Sequence, residues 1–306
     1  MRALLVLLLL VPGPGLAQSI FAFATLEEAR AVLGADDEYV RATAPFERSA
    51  KMHTKEPVDA ERYRAFLAST ARAWPEPAPS GLRDFLVQME RGLAMLKNPP
   101  PRILLVLTTD ELEDGLPHTR GNAILLPESS VGPRSIAYIF AHEIFHIVSR
   151  ADPALRDALY ASIGFRPCER VELPEAASRL RITNPDTPVS RHTIRVRHEG
   201  REVEALPWLR FEEGADPTAG FGVQARVRWL IVAREGGTCR AEGSGVDPAE
   251  LQGLDEQIGR NTRYLFHAEE ILADNFAILL LSELSGKAPQ LASPEVPKRM
   301  RELLFR

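Results

Sequence analysis

The stretch His142-Glu143-Ile144-Phe145-His146 lies inside an apolar run, residues 135–148, that is typical of a buried helix. Residues four apart lie on nearly the same side of a helix, so the two imidazoles could hold one metal ion. Glu143 would lie about 100° around the helix axis, beside the open position of that metal. The pattern therefore predicts one zinc ion, an activated water and a carboxylate that takes the proton of that water.

A catalytic zinc takes three protein ligands and keeps one position open, and two acidic residues compete for the third place. Asp152 lies ten residues after His142, where metzincin-like peptidases have their third ligand. The glycine that lets the helix end sharply in those peptidases is Ser149 here. Asp152 also precedes Pro153 and a helical pattern, which is typical of a helix N-cap. We therefore expect Asp152 to cap a helix.

The second candidate lies in the run His-Ala-Glu-Glu-Ile-Leu-Ala-Asp, residues 267–274, near the start of a long predicted helix that ends before Gly286. Glu270 and Asp274 are four residues apart and share an otherwise apolar, core-facing stripe. An unpaired carboxylate in a core costs several kcal/mol. Zinc would compensate Glu270, and the outer ring nitrogen of a ligating histidine would compensate Asp274. The alternative is that both carboxylates bind arginines or cap loops.

The H-E-x-x-H motif with a downstream E-x-x-A-D, residues 270–274, resembles the gluzincins, the thermolysin-like zinc metallopeptidases. This resemblance implies one Zn²⁺ with three ligands, a general base and a residue that orients a histidine, acting on a peptide or protein substrate. On this resemblance, the zinc ligands would be His142, His146 and Glu270. The general base would be Glu143, and the residue that orients a histidine would be Asp274. The 123 residues between the second histidine and the third ligand exceed the family's usual short spacing. Residues 267–276 are also similar to uncharacterised bacterial exported H-E-x-x-H proteins.

The elements along the chain predict an α+β fold with a zincin-like catalytic domain: a small sheet, the active-site helix and a second ligand helix. Residues 18–100 look mostly helical from the capping box at 25–28 onward, and the prolines at 99–101 mark a boundary. This segment is either a supporting layer or an inhibitory pro-segment. Residues 101–306 would form the catalytic domain, with a β-rich insert at about 165–246.

Strand patterns refine this division. Residues 102–109 and 121–126 predict strands, and the second is either an edge to which an extended peptide adds or a core strand. In the insert, residues 192–198 and 201–211 predict a hairpin, while the glycines within 243–245 predict a loop.

The start of the chain indicates export. Residues 1–17 combine a basic start, a short apolar core and small residues before the cleavage site, which predicts a signal peptide. No later stretch predicts a membrane span, so we expect a periplasmic or extracellular protein. Cys168 and Cys239 would then meet an oxidising compartment, which makes a disulfide between them plausible. The net charge of −5 gives no reason to expect a nucleic-acid partner.

A peptidase also needs a donor for the tetrahedral oxyanion. Tyr264 and His267 are candidates for oxyanion or substrate contact, and His192 or His198 could reach in from the hairpin; a structural role is the alternative for each. Two other interpretations of the whole chain stay open: a non-catalytic, zinc-stabilised binding protein, and a metal hydrolase acting on a non-peptide bond. Glu143 favours an enzyme, because a purely structural zinc site is normally closed by four ligands and needs no base.

Overall fold

The protein combines α-helices with two β-sheets in a computed structural model that describes residues 19–100, 102–131 and 136–306. The mixture of helices and strands is compatible with the α+β class predicted from the sequence. The predicted signal peptide, residues 1–17, lies outside the described residues. None of the helices in the described ranges is both long enough and apolar enough to span a bilayer.

Runs of helices and runs of strands follow one another along the chain. In chain order the helices are α1 (Leu26–Leu33), α2 (Glu38–Ala42), α3 (Pro45–Lys51), α4 (Ala60–Ser69), α5 (Ser80–Leu93), α6 (Ile136–Ala151), α7 (Pro153–Ser162), α8 (Glu175–Leu180), α9 (Asp255–Ile258), α10 (Ala268–Ser285) and α11 (Glu295–Leu304). The strands are β1 (Phe21–Phe23), β2 (Ala71–Arg72), β3 (Ile103–Thr108), β4 (His118–Arg120), β5 (Ala123–Pro127), β6 (Phe165–Pro167), β7 (Arg170–Glu172), β8 (His192–His198), β9 (Arg201–Phe211), β10 (Ala225–Glu235) and β11 (Thr238–Val246).

The first sheet has the order β1-β3-β5-β4, and β2 also pairs with β3. β1 runs parallel to the first half of β3, and β2 runs antiparallel to its last two residues. Because β5 occupies the other side of β3, β1 and β2 follow one another along the same side. Residues before and after position 100 therefore contribute strands to one sheet.

The predicted peptide-binding edge at residues 121–126 is wrong, because β5 lies between β3 and β4 and all five of its residues are buried. The outer strand is β4, which pairs antiparallel with β5. The core alternative for β5 is the one that the structure shows.

The second sheet has the order β6-β8-β9-β10-β11-β7 and is antiparallel except for the β11–β7 pair. Only Cys168 and Glu169 separate β6 from β7, although these strands stand at opposite ends of the order. The sheet therefore curls until one stretch of chain joins its two edges. The predicted hairpin is confirmed as β8 and β9, paired from His198–Arg201 outward.

The predicted disulfide between Cys168 and Cys239 is confirmed, with the two Cα atoms 6.0 Å apart. It ties the chain between β6 and β7 to β11. The loop predicted at residues 243–245 is wrong, because these residues lie within β11. Gly243 and Gly245 adopt φ of 71° and 84°, and the β10–β11 register shifts beside them, so the glycines serve an irregular strand.

The main hydrophobic core forms where α6 and α10 pack against each other. Most of α10 is buried, including its polar residues Glu269, Glu270, Asp274 and Asn275, each at most 4% exposed. Buried carboxylates need partners, since desolvation disfavours their charge. The partners on α6 define the site described next.

Candidate metal centre

The centre is built on α6, whose helical spacing places His142 and His146 on one side with ring centroids 4.9 Å apart. His146 is fully buried, and the side chain of His142 is 13% exposed. The helix begins at Ile136 and ends at Ala151, where Asp152 caps the next helix by accepting a hydrogen bond from Leu155 N at 3.0 Å. The N-cap expected for Asp152 is thus present.

Glu270 on α10 lies opposite both imidazoles. Its Oε2 is 3.0 Å from His142 Nε2, and its Oε1 is 3.8 Å from His146 Nε2. One ligand atom from each of the three side chains lies within 4.8 Å of the others. Tetrahedral zinc with bonds near 2.0–2.1 Å would hold two ligand atoms about 3.3 Å apart, and the 3.0 Å between His142 Nε2 and Glu270 Oε2 is close to that spacing. These residues could therefore hold a metal ion.

The outward nitrogen of each imidazole faces a different carboxylate on α10. His142 Nδ1 is 2.9 Å from Asp274 Oδ1, the partner expected from the sequence. His146 Nδ1 is 3.1 Å from Glu269 Oε1, which the sequence analysis did not identify. Ser149 and Tyr160 donate hydroxyl hydrogen bonds to Glu269, so this carboxylate is held from three sides.

This arrangement fixes the ring tautomers once Nε2 is a metal ligand, because Nδ1–H then donates to a carboxylate. His146 Nε2 is buried and has no hydrogen-bond partner among the described residues. A buried imidazole nitrogen without a hydrogen-bond partner, facing a carboxylate oxygen, fits a metal ligand.

Glu143 lies beside the centre with its side chain buried. Its Oε2 likewise has no hydrogen-bond partner within the part of the chain that the structure describes. Burial raises the pKa of the Glu143 carboxyl to about 8, and the nearby Asp186 carboxylate adds to the rise. A carboxylate with one free oxygen and a raised proton affinity is suited to accept a proton.

The electrostatics of the centre favour positive charge. Burial lowers the pKa of His146, but the carboxylates of Asp186 and Glu270 outweigh burial and raise the pKa to about 9. Burial acts in the same way on His142, and its hydrogen bonds to Asp274 and Glu270 raise its pKa well above the usual value. The same carboxylates would stabilise a metal cation bound by the two imidazoles.

Two further polar residues reach the centre from the loop between α8 and β8, here called the α8–β8 loop (residues 181–191). Asn184 Nδ2 donates to Glu270 Oε1 at 2.6 Å. Asp186 forms a second potential metal-binding group with Glu143 and His146. Its Oδ1 accepts hydrogen bonds from Thr119 N and Oγ1 at 2.6 and 2.7 Å, so the loop also covers the edge of β4. The sequence analysis identified neither residue.

A cavity of about 220 Å³ opens from the centre. Tyr264 lines it, is half exposed, and has its ring centroid 6.1 Å from that of His142. The remaining wall is largely apolar and includes Ile139, Ile182, Leu209, Phe221 and Phe266.

The other histidines considered from the sequence lie elsewhere. His267 caps α10, because its Nδ1 accepts a hydrogen bond from Glu269 N at 3.0 Å, and burial lowers its pKa to about 3. His192 Nε2 lies 3.4 Å from Asp157, and His198 Nε2 lies 3.9 Å from Glu250. Of the four candidates for oxyanion or substrate contact, only Tyr264 lines the cavity at the centre.

Comparisons with known proteins add no relative to this picture. No protein-family model matches the chain, and searches of curated proteins and of solved structures likewise return no match.

Proposed function

We propose that this protein is an exported zinc-dependent metallopeptidase of gluzincin type, with a zincin-like catalytic domain. The observation that carries the proposal is the approach of both Nε2 atoms, from His142 and His146, to the carboxylate of Glu270. Glu143 adds the group that separates an enzyme from a closed structural site, since a buried carboxylate with one unpartnered oxygen has no evident structural purpose.

The residues present would divide the chemistry as follows. Zinc, when bound, would supply a Lewis acid that lowers the pKa of a water molecule and polarises the substrate carbonyl. Glu143 would take the proton of the attacking water and pass it to the leaving amine. Asp274 and Glu269 would keep the two imidazoles in the tautomer that leaves Nε2 free. Tyr264 would contact the substrate or its oxyanion.

Export is proposed from the N-terminal sequence and from the disulfide. The bond between Cys168 and Cys239 fits an oxidising compartment, where such bonds form and persist. The substrate would then be an extracellular or periplasmic peptide or protein.

The test compares Glu143→Gln with Glu270→Ala in the purified protein. Glu143→Gln should keep zinc at wild-type stoichiometry and lower hydrolysis of a mixed peptide library by about 100-fold or more, since proton transfer contributes at least that factor. Glu270→Ala should lose the metal as well as the activity. Metal analysis and peptide mass spectrometry give the two readouts.

Wild-type hydrolysis by Glu143→Gln would overturn the proposed mechanism. A wild-type protein that binds zinc and cleaves esters or phosphates, but no peptide, would assign it to another class of hydrolase. Zinc binding without hydrolysis of any of these substrates would favour a binding protein.

A further inference from the structure

The α8–β8 loop reaches the third ligand of the centre directly. The two oxygens of Glu270 are both engaged: Oε2 faces His142 Nε2 at 3.0 Å, and Oε1 accepts from Asn184 Nδ2 at 2.6 Å. Asn184 lies in the insert, 86 residues before Glu270 in the sequence. The insert therefore contributes to the environment of the metal ligands.

The orientation of the Asn184 amide follows from its second hydrogen bond. Its Oδ1 accepts from the backbone N–H of Asp186 at 3.0 Å, and an N–H requires an acceptor. The oxygen must therefore face Asp186, which leaves the NH₂ group for Glu270. A flipped amide would place its NH₂ group against the N–H of Asp186 and its oxygen against Glu270 Oε1.

The loop is held on both sides of Asn184. On one side, Thr183 donates to Glu47 through its backbone N at 2.6 Å and through Oγ1 at 2.9 Å. Glu47 is fully buried and pairs with the buried Lys51 at 3.3 Å. On the other side, the carbonyl of Asp186 accepts from Arg150 on α6 at 2.8 Å.

Glu47 and Lys51 belong to α3, in the segment before residue 100. Lys51 also pairs with Glu113 at 2.7 Å and donates to the carbonyl of Thr183 at 3.2 Å. Buried ion pairs of this kind are geometrically demanding, because each charge must keep its partners. The N-terminal segment thereby fixes the residue that directly precedes Asn184.

We propose that Asn184 is a positioning residue for the metal centre, held in place by Thr183 and α3. By holding Oε1 of Glu270, it directs Oε2 toward the cation and restricts rotation of the carboxylate before the metal binds. The inference depends on the metal-binding part of the proposed function and is independent of the bond that is hydrolysed. The insert would supply Asn184, and the N-terminal segment would hold the preceding Thr183 in place, so both would contribute to the centre.

The test measures the zinc dissociation constant of the full protein by competition with a chelator. Asn184→Ala should weaken zinc binding about 10- to 100-fold, as supporting hydrogen bonds to metal ligands typically do. Its melting temperature without zinc should stay close to that of the wild type. The matched control is Asn122→Ala, which removes another asparagine donor, from Nδ2 to the carbonyl of Arg102 at 2.8 Å, and should leave the zinc constant unchanged.

A purely structural role would give a different result. An unchanged zinc constant for Asn184→Ala would overturn the inference, whether or not the metal-free protein melts at a lower temperature. If Asn184→Ala does not fold, Asn184→Ser replaces it, because its hydroxyl can still accept from Asp186 but is one bond shorter toward Glu270; the same two results then apply. A wild-type protein that binds no zinc would overturn the proposed function, and this inference with it.

Discussion

The helix pair α6 and α10 and the β-rich insert contribute to the centre in different ways. The helices supply His142, His146 and Glu270 from regular positions, where a spacing of four residues fixes which side chains share a side. The insert supplies Asn184 from a loop without regular structure, which is held in place by hydrogen bonds to α3, β4 and α6. The difference indicates that the helices would carry the proposed ligands, while the insert would adjust one of them.

The largest predicted effect is a loss of stability caused by a change in the insert, with zinc binding at the helix pair unchanged. Replacing Cys168 and Cys239 together by serine should lower the free energy of unfolding by about 4 kcal/mol, as expected for a bond that closes a loop of 71 residues. The zinc constant of the folded protein should not change, because both cysteines belong to a hydrophobic cluster separate from the one formed by the helix pair. Urea unfolding and a zinc titration measure the two quantities. A marked loss of zinc affinity in the folded variant would show that the insert controls the ligands themselves.

The next effect concerns the helix pair alone. Asp274→Ala should weaken zinc binding about 10- to 100-fold, because His142 Nδ1 loses the carboxylate that orients it. Glu283→Ala is the matched control on the same helix, since Glu283 pairs with Arg301 at 2.7 Å at the surface. Competition with a chelator compares the two variants. Equal zinc dissociation constants for both variants would show that Asp274 does not orient His142 for metal binding.

The smallest effect tests the residue that competes with Glu270 in the sequence. Asp152→Ala should cost about 1 kcal/mol of stability, the usual loss for an N-cap, and should leave zinc binding unchanged. Thermal unfolding and metal analysis provide the two readouts. Release of zinc by this variant would make Asp152 a ligand and would contradict the proposed role of Glu270 as the third ligand.

Local patterns explain why part of the centre was predictable. Glu270 and Asp274 stood out because two carboxylates share an apolar helical side, and the same reasoning linked His142 with His146. Glu269 adjoins Glu270 in the same run, but about 100° of helical rotation separates neighbouring residues, so the helical spacing does not predict that both side chains face α6. Only the packing of the two helices brings Glu269 to His146.

The remaining differences between the sequence-based predictions and the structure come from pairings between distant parts of the chain. Asn184 and Asp186 flank Pro185 in a stretch that looks like an ordinary turn, and their partners are far away in the sequence. β5 looked like a candidate edge because β4, only three residues long, gave no strand signal. The glycines of β11 suggested a loop because a bulged strand and a turn use the same residue type.

The pairing of β1 and β2 with the same side of β3 would affect the result of any proteolytic cut near residue 100. If a protease cut the chain near residue 100 and the first part dissociated, the two strands that cover β3 would leave with it. A row of bare amide and carbonyl groups would then be open to pairing with other polypeptides, a known route to aggregation. Proteolytic processing at this position should therefore yield a nicked, two-chain protein that stays assembled.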